Sequence, residues 1–525
     1  MNLKHVQRRQ LLQWIAGSAA GLNLPRRAWA QARLISTPFG LGVASGSPTH
    51  NSVVLWTRLM EPALQAVNPQ GVTVRWELAD DDKFTRIVQT GQTLALPALA
   101  YSVHAEINGL SANRWYFYRF LVGDAVSDTG RTRTFPEPDA VVANLRLAYA
   151  SCQRWEHGYF SAYRHMAQED LDLVMFLGDY IYEYPRAGNA VRATSGNWVL
   201  TLDDYRQRYA DYKRDADLQV MHAACPWLVT WDDHEVQNDY AGLTIGENGP
   251  EVADFAGRRS AAYQAFYEHM PMRASVLTRA LAGLTSGAEM RIYSRSNFGQ
   301  LASLVMLDAR QYKSPQVCTA GGKRGSSTVN PAHCPTWNDP ARTMLGAEQE
   351  RWLDSTWSSY KSGSWNILGQ QSLLGQRDWQ PGPEQSLWND GWDGYSAART
   401  RLIDSARKNA VPNLVVLGGD VHENWVGSVK TDYTQAASRS VGVEFCGTSI
   451  TSRSGGNSKL AETLAENPHF VFADAQRKGY GVVELTPKQM KTTLRVVSDV
   501  TRRDSGIETL AQFSVKQGLA IVEQI

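Results

Sequence analysis

Six short apolar runs, each ending in polar groups that could bind a metal, constrain this chain more than any other feature. The clearest is Leu173-Val-Met-Phe-Leu177, which runs straight into Gly178 and Asp179. An unbroken apolar run of strand length suits a strand covered on both faces, as in a parallel sheet. Gly178 lets the backbone turn sharply, which leaves Asp179 at the carboxyl end of the strand, where open α/β sheets carry their ligands. The design recurs. Leu145–Ala150 leads to Ser151 and Cys152, Leu228–Trp231 to Asp232, Asp233 and His234, and Leu304–Leu307 to Asp308 and Arg310. Trp365–Leu368 leads to Gly369, Gln370 and Gln371, and Leu414–Leu417 to Gly418, Gly419, Asp420 and His422. Ligands delivered from separate rigid strands to one end are what a polynuclear metal site in a layered α/β fold requires.

The N-terminal quarter reads differently. Residues 1–30 hold Arg8-Arg9, a weakly apolar run from Leu11 to Leu24, and Ala28-Trp29-Ala30 as a cleavage site. This resembles a twin-arginine export signal, with the twin-arginine translocase as the partner during export. The run is too short and Gly-rich for a stable membrane span, and no other stretch is long enough to be one. Export to the periplasm or cell exterior follows as the expectation. From about Phe39 to Phe135 the pattern is of short alternating strands, such as Asn51–Arg58, Val72–Leu78, Tyr101–Ile107 and Trp115–Phe120. These predict an all-β sandwich domain over 36–138, with His104 an exposed strand residue. Pro136-Glu137-Pro138 makes a linker, and 140–525 is expected to form the catalytic domain.

Between the runs, 158–170, 202–214 and 345–353 have helical composition or spacing, whereas 238–263 and 319–338 read largely as loops. Of the five cysteines, Cys318 and Cys334 flank the second loop, and a disulfide there would stabilise the fold by ~3 kcal/mol. Cys225 and Cys446 read as buried free thiols, which leaves Cys152 as a candidate thiolate ligand. A formal net charge of +1 argues against a broad basic surface for nucleic acid.

Several ordered blocks carry a family resemblance: Gly42-Val-Ala-Ser-Gly46 with Val54-Leu-Trp-Thr-Arg58, Ala150-Ser-Cys-Gln153, Gly178-Asp-Tyr-Ile-Tyr-Glu-Tyr184, Trp231-Asp-Asp-His-Glu235, Leu368-Gly-Gln-Gln371 and Gly418-Gly-Asp-Val-His422. Together they resemble the PhoD-like alkaline phosphatase/phosphodiesterase family, over nearly the whole mature chain. The resemblance implies a metallophosphoesterase-type layered β-sheet core, related to the purple acid phosphatases, with a mixed Fe³⁺ and Ca²⁺ site.

On that footing the residue types divide between two metals. A thiolate from Cys152 and a phenolate from Tyr182 suit Fe³⁺, and carboxylate and amide oxygens suit Ca²⁺. By likeness to the wider superfamily His422 completes the iron side. Asp179 is the expected bridge, with Asp233, Asp420 and either Gln371 or Gln370 on the calcium side, replacing the Asn, His and His common in that superfamily. The implied reaction is in-line attack on phosphorus by a metal-activated oxygen. His234 stands as proton donor, metal ligand or structural hydrogen-bonding group, and Arg154 either as a fork on phosphate or as a surface residue. Asp232 and Glu423 are expected to orient ligands, and Asp308 with Arg310 to form a structural ion pair. Asn238 is left open between calcium and phosphate.

The resemblance covers small-molecule, polymeric and lipid phosphate esters, so a phospholipase D-like phosphodiesterase is the alternative within the family. Trp379, Trp388 and Trp392 are candidates either for lining a cleft or for packing. A different class, an exported phosphate- or metal-binding protein without turnover, is opposed by the presence of His234.

Overall fold

The computed structural model describes residues 36–60, 71–185, 188–247, 249–277, 289–359, 364–435, 437–454 and 458–525. The expected export signal lies outside them. All six apolar runs supply strands, and these divide between two mixed sheets. In a ten-stranded sheet, Leu145–Ala150, Leu173–Phe176 and Trp227–Val229 lie side by side and parallel, with Ala150, Phe176 and Val229 level at their carboxyl ends. In a seven-stranded sheet, Ala302–Met306, Trp365–Gly369 and Leu414–Gly418 are parallel neighbours, followed by Ser440–Cys446.

Side chains alternate across each strand, so every strand contributes to two cores. Leu147, Tyr149, Leu173 and Met175 of the first sheet pack against Leu304, Met306, Ile367, Val415 and Leu417 of the second. Their alternates Ala148, Ala150, Val174 and Phe176 meet helical residues such as Tyr163, Tyr209, Leu218 and Phe266. On the far face of the second sheet, Val305, Leu368 and Val416 meet Leu353 and Trp357 of helix Gly346–Trp357 and Leu402 and Ile403 of helix Ser396–Lys408. The order is helix, sheet, sheet, helix. Each such aliphatic or aromatic side chain contributes about 1.5–3 kcal/mol when fully buried.

The N-terminal region is all β. Ile87–Ala95, Val72–Ala79, Trp115–Val122, Ala125–Val126 and Gly130–Arg133 form a five-stranded sheet. It packs through Val74, Leu78, Tyr118 and Phe120 onto Val43, Val53, Leu55, Val103 and Ile107. This second group belongs to strands Val43–Gly46, Ser52–Arg58 and Ser102–Asn108, which continue the ten-stranded sheet through the parallel bridge Gly46↔Trp227. The N-terminal strands and the site-bearing strands therefore share one sheet. A Cβ on Gly46 would come 2.5 Å from Pro271 O and 2.7 Å from Trp227 O, so that join needs glycine.

Two local expectations are corrected. Residues 255–263, read as loop, open helix Phe255–His269, whose N-terminus is capped by Asp254 accepting from Gly257 N at 2.8 Å. His104 is no exposed strand residue: its ring stacks on Tyr267 at 4.2 Å and its Nε2 lies 2.9 Å from Tyr267 O. Cys318 and Cys334 are disulfide-bonded, while Cys152, Cys225 and Cys446 are buried free thiols.

Lys213, at the end of helix Leu202–Lys213, is buried with its amine 4.2 Å from the Trp56 ring and 3.4 Å from His222 Nε2. Burial pushes its pKa well below the ordinary lysine value, and among the described residues no carboxylate pairs with it. Between that lowered value and about 10.4 the unfolded chain binds one proton more than the folded chain, so stability rises with pH through this window and is lost as pH falls. Urea midpoints for wild type should therefore climb from about pH 7 to about pH 9 more steeply than those of Lys213→Met. Equal slopes would show the amine to be charged in the fold.

Candidate metal centre

The carboxyl ends of the two sets of parallel strands meet at one edge of the double sheet. Gly178, with φ of 109°, permits the turn after Leu173–Phe176, and a Cβ there would lie 2.5 Å from Asp232 Cβ. Beyond three of the strands ligand candidates sit in the left-handed region: Cys152 at φ 59°, Asp179 at 59°, Asp420 at 64° and His422 at 58°. Non-glycine residues in that conformation cost of order 1–3 kcal/mol each and persist only where their surroundings dictate them.

The surroundings do so through hydrogen bonds. The Glu235 carboxylate accepts from Asp179 N at 3.2 Å, Tyr180 N at 2.7 Å and Asp232 N at 2.9 Å, tying two strand ends together. Ser372 donates its hydroxyl to Asp420 Oδ2 at 2.6 Å. His422 Nδ1 lies 3.0 Å from Arg453 O, a carbonyl that can only accept, so Nδ1 carries the proton and Nε2 presents its lone pair inward.

Three groups of metal-competent atoms result among the described residues, one of them Asp233, Asp239 and Asp390. Ligand atoms of Cys152, Asp179 and His422 lie within 4.8 Å of one another, and so do those of Asp179, Asp233 and His234. Asp179 belongs to both. Tyr182 Oη is 2.9 Å from Asp179 Oδ2 and 3.1 Å from His422 Nε2, which puts the phenol with the first group. Asp179 Oδ1 is fully buried without a hydrogen-bond partner. Such an orphaned carboxylate oxygen between two ligand groups fits bound cations, and the donor set of thiol, phenol, imidazole and carboxylates fits one softer and one harder ion.

The electrostatics point the same way. Burial raises the pKa of Asp179, Asp232 and Asp420, and neighbouring carboxylates raise them further. Asp239 is pushed up to about 7 by burial, Asp390 and Asp233. Burial would raise Asp233 too, but Arg310 and His234 hold it below the usual carboxylate range. His234 is opposite in sign: burial lowers it, and Asp233, Asp179 and Glu183 outweigh that and raise it well above 6.5.

Several expected residues do other work. Gln371 is turned into the protein: its oxygen accepts from Ala309 N at 3.2 Å, and its amide nitrogen lies within 2.9 Å of Thr230 Oγ1, Trp231 O and Leu307 O. It stitches the two sheets beneath the site rather than facing it. Gln370 is similarly committed, accepting from Ser372 N at 3.0 Å and from the buried Trp392 Nε1 at 2.9 Å. Arg154 is neither a surface residue nor aimed as a free fork. It is buried, paired with Glu156 at 3.3 Å, donating to Tyr184 O at 3.1 Å, and packed over the Tyr182 and Tyr184 rings at 5.0 and 4.3 Å. Asp308 and Arg310 form no ion pair. Asp308 accepts from Trp231 Nε1 at 3.1 Å, while the Arg310 guanidinium bonds Asp232 and Asp390 and lies 3.7 Å from Asp233. Asp232 is thus held by Arg310, and Glu423 by Arg377 at 3.1 Å. Asn238 donates its backbone N–H to Glu183 Oε1 at 2.7 Å.

Residues to which the sequence assigned no specific role complete the centre, Asp239 among them from the polar stretch Glu235–Asp239 that could extend the site. Glu183 is fully buried and accepts a hydrogen bond from His234 Nδ1 at 2.8 Å, so His234 Nε2 faces Asp179 and Asp233. Asp390 pairs with Arg310 at 2.8 Å and with buried Lys313 at 2.5 Å. Asp239 donates its N–H to Asp233 Oδ2 at 2.7 Å. The signal for Glu183 was its place in the Gly178–Tyr184 block. Arg310 stood out at a strand end but with Asp308 as its expected partner, and Asp390 carried no signal, since only the fold brings Arg310 to Asp232 and Asp390. Glu183→Gln, which keeps an acceptor but removes its charge, should lower kcat/KM for phosphate esters by about 10–100-fold with metal content unchanged. Full activity would exclude a working Glu183–His234 pair.

Residues 147–494 match the model of the PhoD-like phosphatase family and residues 26–136 that of the PhoD-like phosphatase N-terminal domain. Alkaline phosphatase D of Bacillus subtilis (strain 168) is 43% identical over 515 residues, covering 95% of this chain and 85% of that protein. A solved structure of PhoD superposes with a TM-score of 0.85 at 42% identity, covering 94% of this chain and 92% of the other. The chain belongs to the PhoD-like phosphatase family.

Proposed function

We propose that this phosphoric ester hydrolase cleaves phosphate mono- and diesters at a mixed Fe³⁺/Ca²⁺ centre, in a metallophosphoesterase-type core. The observation that carries the reading is Asp179, shared by two groups of ligand atoms and left with one buried oxygen unpartnered. Cys152, Tyr182 and His422 would hold the iron with Asp179. Asp179, Asp233 and Asp420 would hold the calcium, with the place expected for Gln371 left to other oxygens. When bound, the cations would supply positive charge to phosphate oxygens and lower the pKa of a water.

The chain's own residues supply the rest. Glu183 fixes the His234 ring, and Asp179 and Asp233 beside Nε2 favour its protonated form. His234 is therefore the group to give a proton to the departing ester oxygen, with Nε2 as the donating atom. Arg154 buttresses the Tyr182 and Tyr184 rings from behind. Arg310 and Lys313 neutralise Asp232 and Asp390 without supplying enough charge for the remaining carboxylates, which leaves the centre dependent on cations.

Action in the periplasm or cell exterior is the matching proposal. The Cys318–Cys334 disulfide suits an oxidising compartment, and the residue 1–30 pattern suits twin-arginine export. Among the described residues, no helix is long and apolar enough to cross a membrane.

Hydrolysis of matched chromogenic phosphomonoesters and phosphodiesters at alkaline pH should require Ca²⁺ and cease with chelator. The diester-to-monoester ratio then names the preferred substrate. His234→Ala should lower kcat by about 10²–10⁴-fold. Undiminished turnover in that variant would remove His234 from the chemistry. Absence of turnover in metal-loaded wild type would favour a phosphate- or metal-binding role.

A further inference from the structure

The segment after strand Ser440–Cys446, Gly447-Thr-Ser-Ile-Thr-Ser-Arg-Ser454, contributes no residue to the ligand groups, yet it touches several of them. Ile450 N donates to Ser151 O at 3.0 Å and Ser452 N to Cys152 O at 3.2 Å, so the segment pairs along the backbone that carries the thiol. Thr451 Oγ1 donates to Arg154 O at 2.7 Å, pinning the same backbone on the other side of Cys152. Arg453 O accepts a hydrogen bond from His422 Nδ1, and Thr448 Oγ1, which donates to Arg477 O at 2.8 Å, lies 3.2 Å from His422 O. Cys152 and His422 both sit at positive φ, at 59° and 58°. One loop thus holds two strained ligand positions that arise from different sheets.

Ser452 is the point where this loop reaches ligand chemistry. It is fully buried, and its Oγ lies 2.7 Å from Tyr182 Oη, 2.7 Å from Cys152 O and 3.1 Å from Arg154 N, which donates to it. The hydroxyl has one proton and two acceptors within reach. A carbonyl oxygen carries less charge than a phenolate, and hydrogen bonds to ionised acceptors are about twice as strong as neutral ones. Once Tyr182 gives up its proton to bind a cation, the Ser452 proton belongs on the phenolate, and Cys152 O retains the Ser452 N–H.

We propose that Ser452 is a positioning residue for the iron-side ligands, donating its hydroxyl hydrogen bond to the Tyr182 phenolate while its backbone N–H fixes the carbonyl of Cys152. This rests on the Fe³⁺–tyrosinate reading above. The bond withdraws charge from the phenolate oxygen, so it raises the energy of the phenolate-to-Fe³⁺ charge-transfer band and makes the ligand a weaker donor. It also fixes the phenol's orientation, which is the office that outer partners of metal ligands perform.

The test reads the visible spectrum of iron-loaded full-length protein, with metal content measured alongside. Tyr182→Phe should abolish the band, which identifies its origin. Ser452→Ala should shift the band to longer wavelength. Ser452→Cys, close in volume and a weaker donor, should shift it less in the same direction, and it serves if the alanine variant does not fold. A wild-type band whose maximum is unmoved in both variants overturns the role of Ser452 and leaves the ferric reading standing. Iron-loaded wild type with no visible band overturns the ferric reading, and the proposal with it.

Discussion

Negative charge held out of water is the constraint on which the rest of this structure depends. Asp179, Asp232, Asp233, Asp239 and Asp390 are all buried at the meeting edge of two sheets, with Asp420 half-buried beside them and Arg310 and Lys313 among them. An unpaired buried carboxylate costs several kcal/mol, so such a cluster survives only if cations enter it or protons neutralise it. The architecture accepts this cost at one place and keeps the surroundings rigid. Gln371 joins the sheets directly beneath, Glu235 joins adjacent strand ends, and the long apolar interface between the sheets leaves the cluster little freedom to spread apart.

Rigidity there has a division of labour. The residues that face the interior of the centre sit at the first turn after a strand, where position is fixed by the register of parallel neighbours. The residues that neutralise or orient them arrive from elsewhere: Glu183 from the same block as Asp179, Arg310 from the second sheet, Asp390 from the segment following Leu387–Trp388. A mutation among the second set leaves the ligands present but wrongly aimed or wrongly charged, which is why hydrogen-bond partners matter as much as ligands in such sites.

This division also explains what could be read from the sequence. Apolar runs ending in Asp, Cys or His announce themselves, because burial on both faces demands continuous hydrophobicity and the polar residue beyond is out of place in a core. The strands and the meeting of Cys152, Asp179, Tyr182, Asp233, His234 and His422 were legible for that reason. Gln371 was misread because an amide after a strand can serve a metal or stitch a backbone, and only the neighbouring carbonyls decide which. Asp308 and Arg310 are two residues apart, yet Arg310 reaches across to Asp232 in the other sheet, a contact that sequence separation conceals. Helix Phe255–His269 was obscured because it buries polar residues, among them Arg258, Arg259 and Glu268, alongside its apolar ones, so its period is blurred.

The order of strands in the ten-stranded sheet bears on how the chain is made. Leu145–Ala150, the strand before Cys152, has Leu173–Phe176 on one side and Lys478–Leu485 on the other. During translation the first neighbour is at hand almost at once, whereas the second leaves the ribosome only near the end of synthesis. Until then the Cys152 strand is an unpaired edge, exposed to any chaperone or aggregating partner that favours such edges. Completion of the sheet, and with it the seating of the first ligand, is therefore a late event governed by long-range closure, and premature termination before Lys478 would yield a chain with every ligand candidate present and no finished sheet to hold them.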